Sequence, residues 1–224
     1  MSARSRMLLG FALANLALFL VAWIIVSQRP SPPPQIQGVL LPEGRALAPF
    51  TVLDHHNRAF SNQNLLGQWH LVSYGFTTCP DICPTTLVQI DKVIERLGRD
   101  RANDLRVLFY SIDHRRDTVS QMAGYVPYFN PTFIGLTHRD DPDNPHLPFE
   151  QSLGMMSQLS PILDESGVPD PVNYSVSHGV TLFLLNPEGK LQAIFEPDEP
   201  APGVHHFDPD KLFDDYLAVR DYLG

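Results

Sequence analysis

Hydrophobic positions along this chain change their period several times, and each change marks an element. Leu8 to Val26 is a run of 19 residues without a charge, with Asn15 as its one strongly polar member. A membrane span needs about 17–25 such residues. Arg4 and Arg6 precede the run and Trp23 lies near its far end, so it predicts an uncleaved single-pass anchor with a cytoplasmic N-terminus. A signal peptide would have a shorter apolar core and a small-x-small cleavage site; Ser27-Gln28-Arg29-Pro30 offers none. Pro30 to Pro34 then reads as a stiff, extended spacer.

Past the spacer the period shortens. Phe50 to Asp54 followed by His55 to Phe60 predicts strand, turn, strand. Trp69 to Phe76 is apolar and β-prone, a central strand. Leu87, Ile90, Ile94 and Leu97 recur at helical spacing until Gly98. Arg106 to Ile112 is a second buried strand. Thr118 with Gln121 fits a capping box for a helix to about Phe129, and Thr132 to Leu136 is a short strand. His138 to Pro148 reads as a polar loop, Phe149 to Leu159 as a helix, and Ser160 to Asn173 as another loop. Val180 to Leu185 and Leu191 to Phe195 flank Asn186-Pro187-Glu188-Gly189, a hairpin signal. Asp208-Pro209 opens a last helix with Leu212, Tyr216, Val219 and Leu223 on its core face. Strands alternating with helices predict an α/β domain with a central mixed sheet covered on both faces. The organisation is thus 1–7 cytoplasmic N-terminus, 8–26 anchor, 27–47 Pro-rich linker and 48–224 a single domain.

Charge and composition narrow the function. The 224 residues carry a formal charge of −9, with no basic stripe of the kind nucleic acid requires. There are two cysteines, Cys79 and Cys83. A bridge between them closes so small a loop that it would stabilise little, so their use is chemical. Cys79 lies just past the C-terminal end of the predicted central strand, where a helix begins. Ligand sites in α/β sheets gather at such ends, and a helix N-terminus favours the thiolate. Four residues is about one helical turn, so the two sulfurs are placed to form a redox pair or to hold one soft metal ion. His55-His56 and His205-His206 read as solvated loop residues, Met155-Met156 as packing, and Asp113 and Asp117 as organisers of their loop and the following helix.

The stretch Gly75-Phe76-Thr77-Thr78-Cys79-Pro80-Asp81-Ile82-Cys83-Pro84 resembles the signature of the Sco/SenC family, thioredoxin-like copper-binding assembly factors for cytochrome c oxidase. Ser111 to Thr118 is similar to the family's S-V-D-P-x-R-D-T, Phe133 to Thr137 matches F-I-G-L-T, and Tyr174 to His178 sits where the family has Y-x-V-D-H. The likeness runs from about Ala48 to the C-terminus. His114 stands where the family has proline, and Ser177 where it has aspartate. The resemblance implies a thioredoxin-like fold and a copper ion, Cu(I) or Cu(II), held by Cys79, Cys83 and His178. It also implies a metallochaperone, loaded by a copper donor protein, that passes copper to the binuclear site of oxidase subunit II. In that reading no substrate bond is made, so the protein is not strictly an enzyme. The alternative is a thiol–disulfide oxidoreductase in which Cys79 attacks and Cys83 resolves, reducing the cysteines of that same copper site. With the anchor, either reading places the domain on the periplasmic face of a bacterial inner membrane.

Overall fold

The computed structural model describes residues 3–27, 32–102, 104–138, 146–163 and 167–223. It divides into two compact units, Met1–Pro33 and Pro34–Gly224. The first is a 25-residue helix, α1 (Ala3–Ser27), whose described side chains are exposed, Phe11, Leu16, Phe19 and Trp23 among them. Among the described residues no helix is long and apolar enough to cross a membrane. The predicted span 8–26 falls within α1, with its side chains at 9, 25 and 26 outside those described. Of the proline spacer, residues 30 and 31 lie outside the described residues and 32–34 have no regular structure.

The second unit is built on an eight-stranded mixed sheet in the order β1-β10-β9-β4-β5-β6-β2-β3. Its middle is β4 (Trp69–Gly75), β5 (Leu105–Ser111) and β6 (Ile134–Thr137), paired in parallel. Antiparallel strands flank them: β9 (Leu182–Leu185), β10 (Lys190–Phe195) and β1 (Gly38–Ala46) on one side, β2 (Thr51–Asp54) and β3 (Ala59–Ser61) on the other. Parallel neighbours require crossovers. The helices α2 (Ile82–Ala102) and α3 (Val119–Phe129) supply them, as the alternating pattern predicts.

Period-two alternation explains why both faces are covered. Leu71 of β4 with Val107 and Phe109 of β5 points into one core, beside Leu87 and Ile90 of α2 and Leu212 and Tyr216 of α5 (Pro209–Leu223). Val72 and Tyr74 with Leu108 and Tyr110 point into the other, beside Phe50 and Phe149. Every residue of β4 is buried. Both caps form, but the capping box at Thr118 is half made, its own N–H going to the Arg116 carbonyl. The Thr118 side chain accepts from the Gln121 N–H, and Asp208 accepts from the Asp210 N–H at 2.8 Å. Gly98 does interrupt its helix, with φ 66° and ψ 175°.

Four readings need correction. The helix expected over Phe149 to Leu159 is α4 (Leu147–Leu153), ended by Gly154 in the left-handed conformation at φ 76°. Residues 157–163 form β7 (Ser157–Leu163) and pair with β8 (Pro169–His178), so the loop expected over 160–173 is a hairpin. Residues 38–46, read as the end of the linker, supply β1 and extend the sheet. His55 is not a solvated loop residue. It is buried, donates its N–H to Gly135 and accepts the Gly135 N–H at Nδ1, 2.9 Å away. A small second hairpin, β11 (Asp198–Ala201) with β12 (Val204–His206), has no counterpart in the sequence reading. Of the loop expected over 138–148, residues 139–145 lie outside those described.

Leu108 is fully buried in the middle of the sheet. Leu108→Ala is expected to lower stability by about 2–5 kcal/mol, the usual cost of such a cavity, read by urea denaturation.

Candidate metal centre

The chain leaves the carboxyl end of β4 at Gly75, crosses Phe76 to Asp81 and enters α2 at Ile82. Cys79 sits on that loop and Cys83 in the first turn of the helix; both thiols are free and buried. Gly75 is required here. A Cβ at that position would lie 2.5 Å from Cys83 Sγ, so only glycine lets the sulfur rest against the strand.

His178 reaches the pair from the other end of the sequence. It is the last residue of β8, opposite Ser157 in β7, and the following Gly179 N–H donates to the Met156 carbonyl at 3.0 Å. Its Nδ1 lies 2.8 Å from the Gly179 carbonyl, and its Nε2 lies 3.6 Å from Cys83 Sγ. An Nδ1–H donated to that carbonyl orients the ring and leaves Nε2 facing the sulfurs, the arrangement usual for histidine ligands. Tyr74 and Phe76 pack on the ring with centroids 5.5 and 5.8 Å away. One donor atom each from Cys79, Cys83 and His178 all fall within 4.8 Å of one another.

Two buried carboxylates hold these segments together. Asp117 accepts the Thr77 N–H at 2.8 Å, the Thr77 hydroxyl at 2.6 Å and the Ser111 hydroxyl at 2.7 Å, tying the cysteine loop to the end of β5. Asp113 accepts from Tyr174 Oη and pairs with Arg116 Nε. The Arg116 guanidinium lies 4.3 Å over the Tyr174 ring. Tyr174 is on β8, so this clamp fixes the strand that ends in His178. Asp113 and Asp117 are thus organisers, as read. The serine at 177 pairs with Gln158 and is exposed. With His178 and Met156, which is 71% exposed where the sequence reading expects packing, it lines an open cleft of about 270 Å³.

The two thiols titrate apart. Cys79 is drawn down to about 3, chiefly by the hydrogen bond from Cys83, against the opposing effect of burial and with help from His178 and the Asp81 backbone. Cys83 is pushed far up, because it is the donor in that pair and is itself buried. The pair therefore favours the thiolate at Cys79 and the thiol at Cys83.

Two thiols and an imidazole in this arrangement form a soft donor set. Metal–ligand bonds of about 2.0–2.3 Å imply donor separations of roughly 3.5–4 Å in a trigonal set. A ceiling of 4.8 Å therefore requires only a small closure. Such a set on a thioredoxin-like sheet defines a thiol-based metal-binding or redox protein. Comparison with known proteins gives the family. The SCO1/SenC pattern matches residues 41–206, and the chain belongs to that family. A putative copper-binding protein of Stutzerimonas stutzeri is 34% identical over 164 residues, covering 70% of this chain and 72% of its own. The mitochondrial SCO2 homologue of Bos taurus is 33% identical over 142 residues, covering 62% of this chain but 50% of its own length. Arabidopsis thaliana ScoI, solved with copper bound, superposes with a TM-score of 0.62 at 27% identity, covering 79% of this chain and 99% of that one.

A folded pKa below the ordinary thiol value makes the Cys79 thiolate persist as pH falls, until the folded pKa is reached. In reduced, metal-free protein the thiolate absorbance in the ultraviolet should therefore correspond to one sulfur across the neutral range. It should disappear only towards a pH of about 3. Loss of all the absorbance with an ordinary thiol midpoint would contradict the thiolate at Cys79.

Proposed function

We propose that this protein binds copper through Cys79, Cys83 and His178 and serves in the assembly of cytochrome c oxidase, passing the ion to the binuclear copper site of subunit II. The observation that carries the reading is the convergence of those three donors within 4.8 Å from segments 95 residues apart. Two thiolates suit Cu(I), and an added imidazole suits Cu(II), so one set serves both states. The likeness to the putative copper-binding protein of Stutzerimonas and to copper-bound Arabidopsis ScoI supports copper as the ion. Copper is cargo here. It arrives from a donor protein and leaves when thiolates of the acceptor replace the ligands one at a time. Cys79 supplies a thiolate without prior deprotonation, and the Gly179 carbonyl keeps His178 turned to the site.

A second reading draws support from the free, adjacent thiols. Cys79 would attack a disulfide of the same acceptor, and Cys83 would release the product as the Cys79–Cys83 bridge forms, with two electrons passing to the acceptor. His178 separates the two. In the full chain, His178→Ala should weaken Cu(II) binding at least tenfold and leave disulfide exchange within a few-fold. Copper titration followed by thiolate-to-copper absorbance reads the first, and reduction of a model disulfide reads the second. Unchanged Cu(II) affinity in that variant would rule out the three-ligand centre.

The compartment belongs to the same proposal. The uncharged stretch 8–26 and the exposed apolar side chains of α1 support a single anchor in the inner membrane with the domain on the periplasmic side. The full chain should resist carbonate extraction from membranes and a chain beginning at Pro34 should not. Release of the full chain would count against the anchor.

A further inference from the structure

Three neighbouring parallel strands end on the same edge of the sheet. Cys79 follows β4, His114 follows β5 and His138 follows β6. Only the first of these ends is used by the copper centre. At the other two, histidines gather. The His138 ring stacks on His146, with centroids 3.5 Å apart and planes 10° from parallel, and lies 4.0 Å from the ring of His114. His146 immediately precedes α4 and Glu150 lies in its first turn. One nitrogen from each of His138 and His146 and one oxygen of Glu150 all fall within 4.8 Å of one another, the same compactness as the cysteine site.

Tyr110 decides which His138 nitrogen is available. Its hydroxyl donates to Glu150 Oε1 at 2.6 Å, which uses its only proton. The contact at 3.1 Å between Tyr110 Oη and His138 Nδ1 is therefore an Nδ1–H donating to the phenol oxygen. The lone pair of that ring then lies on Nε2, which is buried. A ring with one nitrogen tied back by a hydrogen bond and the lone pair on the other is the arrangement of metal-ligating histidines. Glu150 keeps its second oxygen for the ion.

We propose that His138, His146 and Glu150 form a second metal site, for a divalent transition ion of the Zn(II) or Cu(II) kind. The donor set decides the class. Two imidazoles and a carboxylate without a thiolate suit borderline divalent ions and not Cu(I). Three protein donors leave a fourth position for water or for a group from another molecule. Bonds of about 2.0–2.2 Å require the donors to close by roughly 1 Å and the stacked rings to tilt. His138 is 4% exposed, so the half-buried His146 is the ring that moves. A cavity of about 380 Å³, lined by His114, Thr118, Thr137 and His138, opens beside the His138 ring.

The test uses tag-free full chain carrying Cys79→Ser and Cys83→Ser, which removes the thiolate centre. Zn(II) affinity is read by competition with a chromophoric chelator, and thermal melting shows that each variant is folded. One equivalent of Zn(II) should bind, at least tenfold more weakly after His146→Ala and again after Glu150→Gln, with His56→Ala unchanged. Absence of stoichiometric Zn(II), or affinity that survives both substitutions at 146 and 150 in folded protein, overturns the proposal. Neither result touches the copper centre, which that background lacks.

Discussion

The meeting of Cys79, Cys83 and His178 rests on a buried charge, that of Asp117. This carboxylate is fully buried, and a buried charge is tolerated only where hydrogen bonds replace its water. Thr77 and Ser111 provide them. The requirement works in both directions. Because the charge must be satisfied, the loop after β4 must bring Thr77 to it, and Cys79 two residues on is then held at the start of α2. Asp113 does the same for the distant ligand. It takes its hydrogen bonds from Arg116 and Tyr174, and Tyr174 lies four residues before His178 on β8. Neither aspartate faces the cysteines as a ligand, yet together they bring the three donors to one point.

Close packing completes the site. Gly75 allows Cys83 to rest on the central strand, and a Cβ at Gly179 would lie 2.8 Å from Tyr74 Oη. Both glycines are places where backbone must approach a side chain, one under each arm of the site. The sulfurs end up buried, and the hydrogen bond from Cys83 favours the thiolate at Cys79 against the cost of that burial. Burial also shields a soft ion from water. The open side of the site is the cleft lined by Met156 and His178.

Much of this was legible in the chain. The parallel core strands are continuous apolar runs, the helix caps carry their own residues, and Cys79 and Cys83 lie one turn apart at a strand-to-helix junction. His178 was not legible from its surroundings. Nothing local to a lone histidine tells where a hairpin will deliver it, and only the family resemblance named it. The hairpin β7–β8 was missed for the same reason. β7 is exposed almost throughout and imposes no alternation of its own, while β8 half-buries only alternate residues such as Tyr174 and Val176, so the pair is defined by cross-strand pairing. His146 falls in a stretch that reads as a polar loop and Glu150 in a predicted helix, and neither carries a local sign of the other. Their meeting with His138 comes from tertiary packing alone.

The most direct measurement is X-ray absorption at the copper edge of the full chain carrying His146→Ala, which removes the second site, loaded with one equivalent of Cu(II). If Cys79, Cys83 and His178 form the centre, the first shell should contain two sulfurs at about 2.2–2.3 Å and an imidazole nitrogen at about 2.0 Å. The nitrogen should vanish in His178→Ala. A shell of nitrogen and oxygen without sulfur, or a nitrogen that persists in that variant, would contradict it.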